Sequence, residues 1–251
     1  MRPTNQILEV WGEFACFTRP ELKVERFSYP VITPSAARAI FDAIYCKPNR
    51  DPSKAEFRWQ VKKVEMLSEP KYIALRRNEV KNKAPSERTI LDWISGKKEP
   101  KPILADGTKE MLGRDDEGRT QRQTMALKDV RYRLHAEIRP WPGYEDRLKA
   151  MEAQFRRRAL NGKCIYQPYL GCREFPAYFE LVEPDSIQAE PVPVNIDIGL
   201  MLYDVFDLSK PGSSTDAPKI SLFRAKVVNG VMEIPEYDND EEVLKLDGGR
   251  I

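Results

Sequence analysis

The stretch Val130-Arg131-Tyr132-Arg133-Leu134-His135-Ala136-Glu137-Ile138 decides the fold. Successive side chains of an extended chain point to opposite faces. Val130, Tyr132, Leu134, Ala136 and Ile138 therefore share one face, and Arg131, Arg133, His135 and Glu137 the other. The alternation predicts a half-buried strand with an apolar side and a basic polar side, ended by Pro140 and Pro142. Just downstream, Tyr144–Leu160 predicts a helix with Leu148, Met151 and Phe155 on one face and Gly162 at its C-terminal cap. Arg156, Arg157 and Arg158 fall in its last turn, where the helix dipole favours cations. A loop rich in glycine and aromatic residues, GKCIYQPYLG (162–171), then leads to an expected strand over Arg173–Val182.

Upstream, Ile7–Phe17 (ILEVWGEFACF) reads as a strand with a bulge or kink expected at Gly12. A basic loop follows, and then a helix capped by Thr33, with Pro34 in its first turn. Ala37, Ile40, Phe41 and Ile44 give it one apolar face, and Pro48 stops it near Tyr45. Phe57–Leu67 is an expected strand and Lys71–Val80 its expected neighbour. Residues 81–122 are charged and broken by Pro and Gly around one apolar island, Ile90–Ile94, and read as a long, partly mobile excursion.

The order strand, helix, strands, helix, strand predicts an α+β fold: a ferredoxin-like (RRM/RAMP-type) domain over residues 1–183. A Pro-rich link opens a small twisted antiparallel β-sheet domain over 184–251. In it, Phe223–Val228, Asn229-Gly230 and Val231–Ile234 form a hairpin pattern.

The chain has 251 residues, 41 % hydrophobic and 32 % charged, enough for a core and too ordered in pattern for a disordered chain. No apolar run is long enough for a membrane helix, the opening MRPTNQILEVWG has no signal-like stretch, and four scattered cysteines suit a reducing compartment; the expected location is the cytoplasm, away from membrane. A single histidine rules out multi-histidine metal sites, and no metal or other cofactor is expected. Phosphate-binding glycine loops, GxSxG and HExxH are all missing, which disfavours the common nucleotide-dependent and hydrolase classes. The 41 basic and 39 acidic side chains nearly cancel, but unevenly. Residues 166–251 hold 7 basic and 16 acidic residues, so residues 1–165 hold 34 and 23. A basic, aromatic-interleaved surface on a sheet-and-helix scaffold suits RNA, whose phosphates meet cations and whose unstacked bases meet rings; an ordinary solvated face has the same composition.

Five blocks carry a more specific signal. VWGEFACFTRPELKVERFSYPVITPSAARAIFDAIYCKP (10–48) closely resembles the opening of the CRISPR-associated Cas-five-d family, the subtype I-C (Dvulg) member of the RAMP superfamily. IALRRNEVKNK (73–83), TQRQTMALKDVRYRL (120–134), FRRRALNGKCIYQPYLGCREFPA (155–177) and GLMLYDV (199–205) resemble its later blocks, in order. The resemblance implies a metal-independent endoribonuclease that recognises the CRISPR repeat hairpin and cuts precursor CRISPR RNA at its base. It further implies retention on the 5′ handle as a subunit of the type I-C interference complex. The implied partners are the repeat RNA, the backbone and large subunits and, through the complex, target DNA. The alternatives are a non-catalytic handle-binding assembly subunit and a generic single-strand RNA binder.

Cleavage without metal uses the substrate's own 2′-OH as nucleophile, and the protein must position that group, handle its proton and stabilise the phosphorane. The family divides these tasks among Tyr, Lys and His. The resemblance carries the tyrosine to Tyr45 and, within one position, the lysine to Lys149. It does not carry the histidine, since Ala150 and Met151 follow Lys149; the one histidine, His135, lies on the polar side of the 130–138 strand. Without the family, Tyr45 reads as an aromatic closing a helix, Lys149 as a solvated lysine and His135 as a surface residue. RNA-binding candidates are Arg19, Lys23, Arg26, Lys47, Arg76, Arg77, Lys81, Arg119, Arg122, Arg131, Arg133, Lys163, Tyr166 and Tyr169. Gly162 and Gly171 are read as allowing close backbone approach to phosphate.

Overall fold

The structure, a computed structural model, describes residues 2–22, 24–47, 51, 55–103, 105, 111, 113, 118–183, 186, 189–212 and 216–246. The chain forms two compact units, one of residues 1–73 and 125–251, the other of residues 74–124.

The first unit is α+β. Its main sheet runs in the order β6 (Tyr178–Leu181), β1 (Gln6–Ala15), β5 (Arg119–Pro140), β3 (Phe57–Met66) and β9 (Val231–Glu233). Every pairing for which a register is recorded is antiparallel, and β1 matches β5 through Leu8 opposite Leu134 and Val10 opposite Tyr132. A two-residue strand, β2 (Arg26–Phe27), also pairs with β5. As the alternation predicted, Val130, Tyr132, Leu134, Ala136 and Ile138 are buried.

Helix α1 (Pro34–Ile44) starts where expected: Thr33 accepts the Ala36 amide at 3.2 Å and Pro34 opens the first turn. Its face of Ala37, Ile40, Phe41 and Ile44 is fully buried. The second long helix of this unit begins later than the sequence suggested. Glu145–Arg147 form a single 3₁₀ turn, and the α-helix proper, here α3, runs over Leu148–Leu160. Phe41 of α1, Trp59 of β3 and Phe155 of α3 meet with ring centroids 4.7 to 5.6 Å apart, which ties both helices to the sheet.

A separate three-stranded sheet of β7 (Ile196–Asp204), β8 (Ser221–Val227) and β10 (Val243–Lys245) completes the unit. Asn229 and Gly230 turn with positive φ, and Val228 and Val231 exchange backbone hydrogen bonds of 2.8 and 3.0 Å, so the predicted hairpin turn is present. Its two arms nevertheless serve different sheets: β8 pairs with β7 and β10, whereas β9 joins β3 in the main sheet. Across the two sheets, Gln60 of β3 donates to the Tyr203 hydroxyl at 2.8 Å, and the Arg38 Nε of α1 donates to Asp204 of β7 at 2.8 Å.

Three local expectations are corrected. Strand β4 (Lys71–Val80) pairs with β5 and not with β3, both of whose edges are taken by β5 and β9. Strand β1 keeps one register through Gly12, and the recorded shift lies in β3, between Val61 and Lys63. Glycine is needed at position 12 for space, since a Cβ there would come within 2.5 Å of Leu170 Cδ1 and 2.9 Å of the Pro176 carbonyl. The strand expected over Arg173–Val182 shrinks to β6, because Phe175 N–H turns back to the Cys172 carbonyl and Pro176 has no N–H to give a ladder.

The second unit contains the outer parts of β4 and β5 and helix α2 (Glu87–Ile94), capped by Ser86 accepting the Thr89 amide. The apolar island of the sequence is therefore helical. Among the described residues no helix is long and apolar enough to cross a membrane.

Gly171 offers a sharp test of the loop before β6. It has φ +83°, and a Cβ there would overlap the Cys16 carbonyl of β1's C-terminal extension. Gly171→Ala is expected to lower the melting temperature by several degrees, roughly 2–4 °C for each kcal/mol lost in a chain of this size. An unchanged melting curve would remove this packing contact from the account.

Candidate active site

Tyr45 is the residue that ends α1. Its N–H donates to the Phe41 carbonyl at 2.9 Å, and its backbone then turns extended. Three carbonyls at the end of the helix are met from outside it. Arg158 Nε donates to Ile44 O at 2.5 Å, Trp59 Nε1 to Tyr45 O at 2.9 Å, and Ile165 N to Ala43 O at 2.6 Å. The triple arginine expected to steady its own helix end thus sends Arg158 to the C-terminus of α1, while Arg156 pairs with Glu183 at 2.7 Å. The Tyr45 ring lies 5.2 Å from that of Phe57, and the residue is 6 % exposed.

Beside it stands Glu56. Its Oε1 is 3.0 Å from Arg147 and 3.5 Å from Lys47, and its Oε2 is buried with no hydrogen-bond partner. Burial pushes the Tyr45 phenol up from its ordinary value, Glu56 adds to this, and Arg147 and Arg158 offset only part of it. At neutral pH the group is therefore a neutral phenol, able to donate a hydrogen bond and to accept one. Burial, with Asp42 next, also pushes the neighbouring Cys46 thiol up to about 11, which leaves it neutral.

Lys149 is exposed on the first turn of α3. The cations that act electrostatically on Tyr45 are instead Arg147, two residues earlier, and Arg158. Nothing in the sequence separated Arg147 or Glu56 from their charged neighbours; only folding brings the 3₁₀ turn before α3 to the start of β3.

His135 lies elsewhere in the sheet. Asn5 Nδ2 stands 3.0 Å from its Nδ1, and its Nε2 is 3.2 Å from Glu65 Oε1. Glu65 also takes Arg133 Nη1 at 2.5 Å and Lys63 at 2.7 Å. Burial raises the Glu65 carboxyl, but His135, Lys63 and Arg133 outweigh burial and hold it well below the usual carboxylate range. Arg133 donates further to the Ala189 carbonyl at 2.9 Å and is only 3 % exposed. The polar face predicted for the 130–138 strand is thus largely closed here, with Glu9 bonded to Arg131 at its side.

The other candidates are spread over both units. Arg19 packs over the Tyr29 ring at 4.7 Å and is 3.6 Å from Glu21; Arg26 reaches Glu174 at 3.2 Å. Arg131 is exposed and sits 5.9 Å from the Trp11 ring. Lys163 and Tyr166 are exposed on the loop after α3, with Tyr169 half-buried. Gly162, at φ +61°, has open space around its Cβ position, whereas Gly171 is closed against Cys16. In the second unit Arg76 and Arg119 are exposed, Arg77 and Arg122 stand 3.7 and 3.9 Å from Glu79, and Lys81 N–H bonds to Gly118. Lys23 lies outside the described residues. Among the described residues no three His, Cys, Asp or Glu side chains gather as metal ligands.

Known proteins resemble the chain in sequence and in fold. The Cas5d family model, described as CRISPR-associated protein (Cas_Cas5), matches residues 7–235. A protein of Mannheimia succiniciproducens named CRISPR pre-crRNA endoribonuclease Cas5d is 35 % identical over 244 residues, covering 93 % of this chain and 96 % of that one. One of the same name from Thermus thermophilus is 34 % identical over 258 residues, covering 96 % of each. Two solved structures share the fold, each at TM-score 0.59 with 96 % of both chains covered: a CRISPR-associated protein, 19 % identical, and the functionally uncharacterized SMU1763c of Streptococcus mutans, 18 % identical. With a family match across residues 7–235 and two relatives above one-third identity over nearly their whole length, the chain belongs to the Cas5d family of CRISPR-associated proteins.

Proposed function

We propose that the protein is a metal-independent endoribonuclease of CRISPR RNA maturation, acting in the cytoplasm on the hairpin of precursor repeat RNA. The observation that carries this reading is the near-complete match to two proteins named as pre-crRNA endoribonucleases. In this reading residues 1–183 are the ferredoxin-like RNA-binding and catalytic part, supported by β6, β1, β5 and β3 standing side by side in that order in the main sheet. Residues 184–251 are the β-rich part that holds α1 through Asp204. After cutting, the protein stays on the 5′ handle beside the backbone and large subunits of the interference complex.

The chemistry begins with the substrate 2′-OH, which attacks the adjacent phosphorus as the 5′-oxygen leaves, giving a 2′,3′-cyclic phosphate and a 5′-OH. Tyr45, as a neutral phenol, orients the 2′-OH by hydrogen bonding. Charge on the phosphorane is met by Lys149 or by Arg147, the latter supported by its place on Glu56 beside Tyr45. His135 has Asn5 and Glu65 as partners within the fold, which supports a role in holding the sheet more than one in proton transfer.

The test is direct. Purified protein with its own repeat RNA in EDTA is expected to make one cut, and a 2′-deoxy nucleotide at the cut site is expected to block it. Bound RNA that stays intact at every site would instead favour the second reading, a handle-binding assembly subunit. The absence of histidine next to Lys149 motivates that reading.

A further inference from the structure

A cleft of about 310 Å³ opens beside the end of α1. Its lining includes Cys46 and Lys47, the two residues after Tyr45, and Asp42, one turn before it. It also includes five aromatic rings: Phe57 and Trp59, which are buried in the core, and Trp141, Tyr166 and Phe206. Tyr166 is 46 % and Phe206 53 % exposed, so neither ring is spent on the core. The guanidinium of Arg38 stands 6.0 Å from the Phe206 ring and that of Arg58 5.8 Å from the Trp141 ring, close enough for cation–π attraction to bias how the rings stand.

The charges around the cleft define what it can accept. The lining holds four cations, Arg38, Lys47, Arg58 and Lys210, and two carboxylates, Asp42 and Asp207; of the cations, Lys47 and Lys210 have the exposed side chains, suited to the phosphates of a passing strand. Asp42 is a carboxylate in the same lining, held by Arg38 Nη1 at 2.6 Å. A carboxylate repels phosphate but accepts hydrogen bonds from the amino or imino N–H groups of a base edge. Aromatic walls, in turn, receive the flat face of an unstacked base. We propose that this cleft is a subsite for one unstacked nucleobase of the RNA substrate, turned so that an N–H edge meets Asp42 and a face meets Tyr166 or Phe206. This rests on the reading of the protein as an RNA-processing enzyme in one respect only, that its RNA passes the end of α1.

The experiment is an abasic scan of the repeat RNA, read as dissociation constants with wild type, Phe206→Ala and Tyr166→Ala. Where a cut site exists, it carries a 2′-deoxy nucleotide so that the RNA stays whole. Both rings are exposed, so both variants are expected to fold with unchanged melting curves. The variant that lacks the stacking ring, Phe206→Ala or Tyr166→Ala, is expected to weaken intact RNA about ten-fold, in line with one lost base stack. One abasic position should weaken wild-type binding by a similar factor, and on that RNA the ring variants should lose nothing more. If the ring variants weaken every abasic RNA as much as the intact one, or weaken none, the subsite is overturned. A protein that shows this base dependence yet never cuts all-ribose RNA keeps the subsite and loses the endoribonuclease reading. A wild-type protein that does not bind repeat RNA overturns both.

Discussion

Replacing Tyr45 with phenylalanine is expected to slow cleavage of bound repeat RNA by roughly 100-fold or more, the usual scale for losing a positioned hydrogen-bonding or proton-handling group. Binding should change little. The phenylalanine ring keeps the 5.2 Å contact with Phe57, and the backbone bonds of residue 45 to Phe41 and Trp59 do not involve the hydroxyl. Single-turnover cleavage rates beside dissociation constants separate the two effects, and equal rates for both proteins would take Tyr45 out of the mechanism. The phenol is held above its ordinary value of 10.0, so the neutral form persists through the whole range of ordinary assays. A rate that climbs ten-fold per pH unit between about pH 7 and pH 9, and loses that climb in Tyr45→Phe, would mean that the phenolate is the base after all. Parallel variants of Lys149 and Arg147 decide which cation serves the phosphorane. Arg147→Ala is expected to cost more than Lys149→Ala, because Arg147 is the one fixed on Glu56 beside the tyrosine.

The second large effect is on stability. Glu65→Ala is expected to cost about 3–5 kcal/mol, the scale for removing one partner of a buried ion pair. The reason is Arg133, whose side chain is 4 % exposed and which loses its 2.5 Å partner while its charge stays inside. Lys63 and His135 lose the same acceptor. The effect has a pH signature. The Glu65 carboxyl titrates lower in the folded protein than at its unfolded value of 4.5. Its contribution is therefore fully present above about pH 4.5 and falls away as the pH drops toward the folded value. Urea unfolding at pH 7 and pH 4 checks both points. Wild type should lose more stability over that interval than Glu65→Gln, which has no carboxyl to protonate; parallel losses would show that other carboxylates set the acid sensitivity.

How far the sequence could be read depended on the range of the interactions involved. Helix α1 was legible to the residue, since Thr33, Pro34 and the spacing of Ala37, Ile40, Phe41 and Ile44 are signals within one short segment. The face alternation of residues 130–138 was legible for the same reason, and so was the Asn229-Gly230 turn. Partners were not. The sequence offers β4 to β3 as a near neighbour, but an edge is open or taken only once every strand is in place, and β3 has none to spare. Gly12 looks like a bulge residue until Leu170 and Pro176 are found against it. Likewise the basic face of residues 131–135 reads as a nucleic-acid surface, because composition cannot show that Glu9 and Glu65, far off in the chain, answer Arg131 and Arg133.

The candidate site divides in the same way. Tyr45 became a candidate through a local block of residues around the end of α1. Glu56, Arg147 and Arg158 did not, because each comes from a different element and each is an ordinary charged residue until folding sets it near the phenol. By itself, the sequence determined the family, the α+β class and the two long helices of the first unit, and it singled out Tyr45 as a candidate, all from short-range pattern or long ordered blocks. Only the tertiary structure decided which strands meet, which arginines are neutralised inside and which face the tyrosine, because pairing and charge compensation join residues that the chain keeps tens to more than a hundred positions apart.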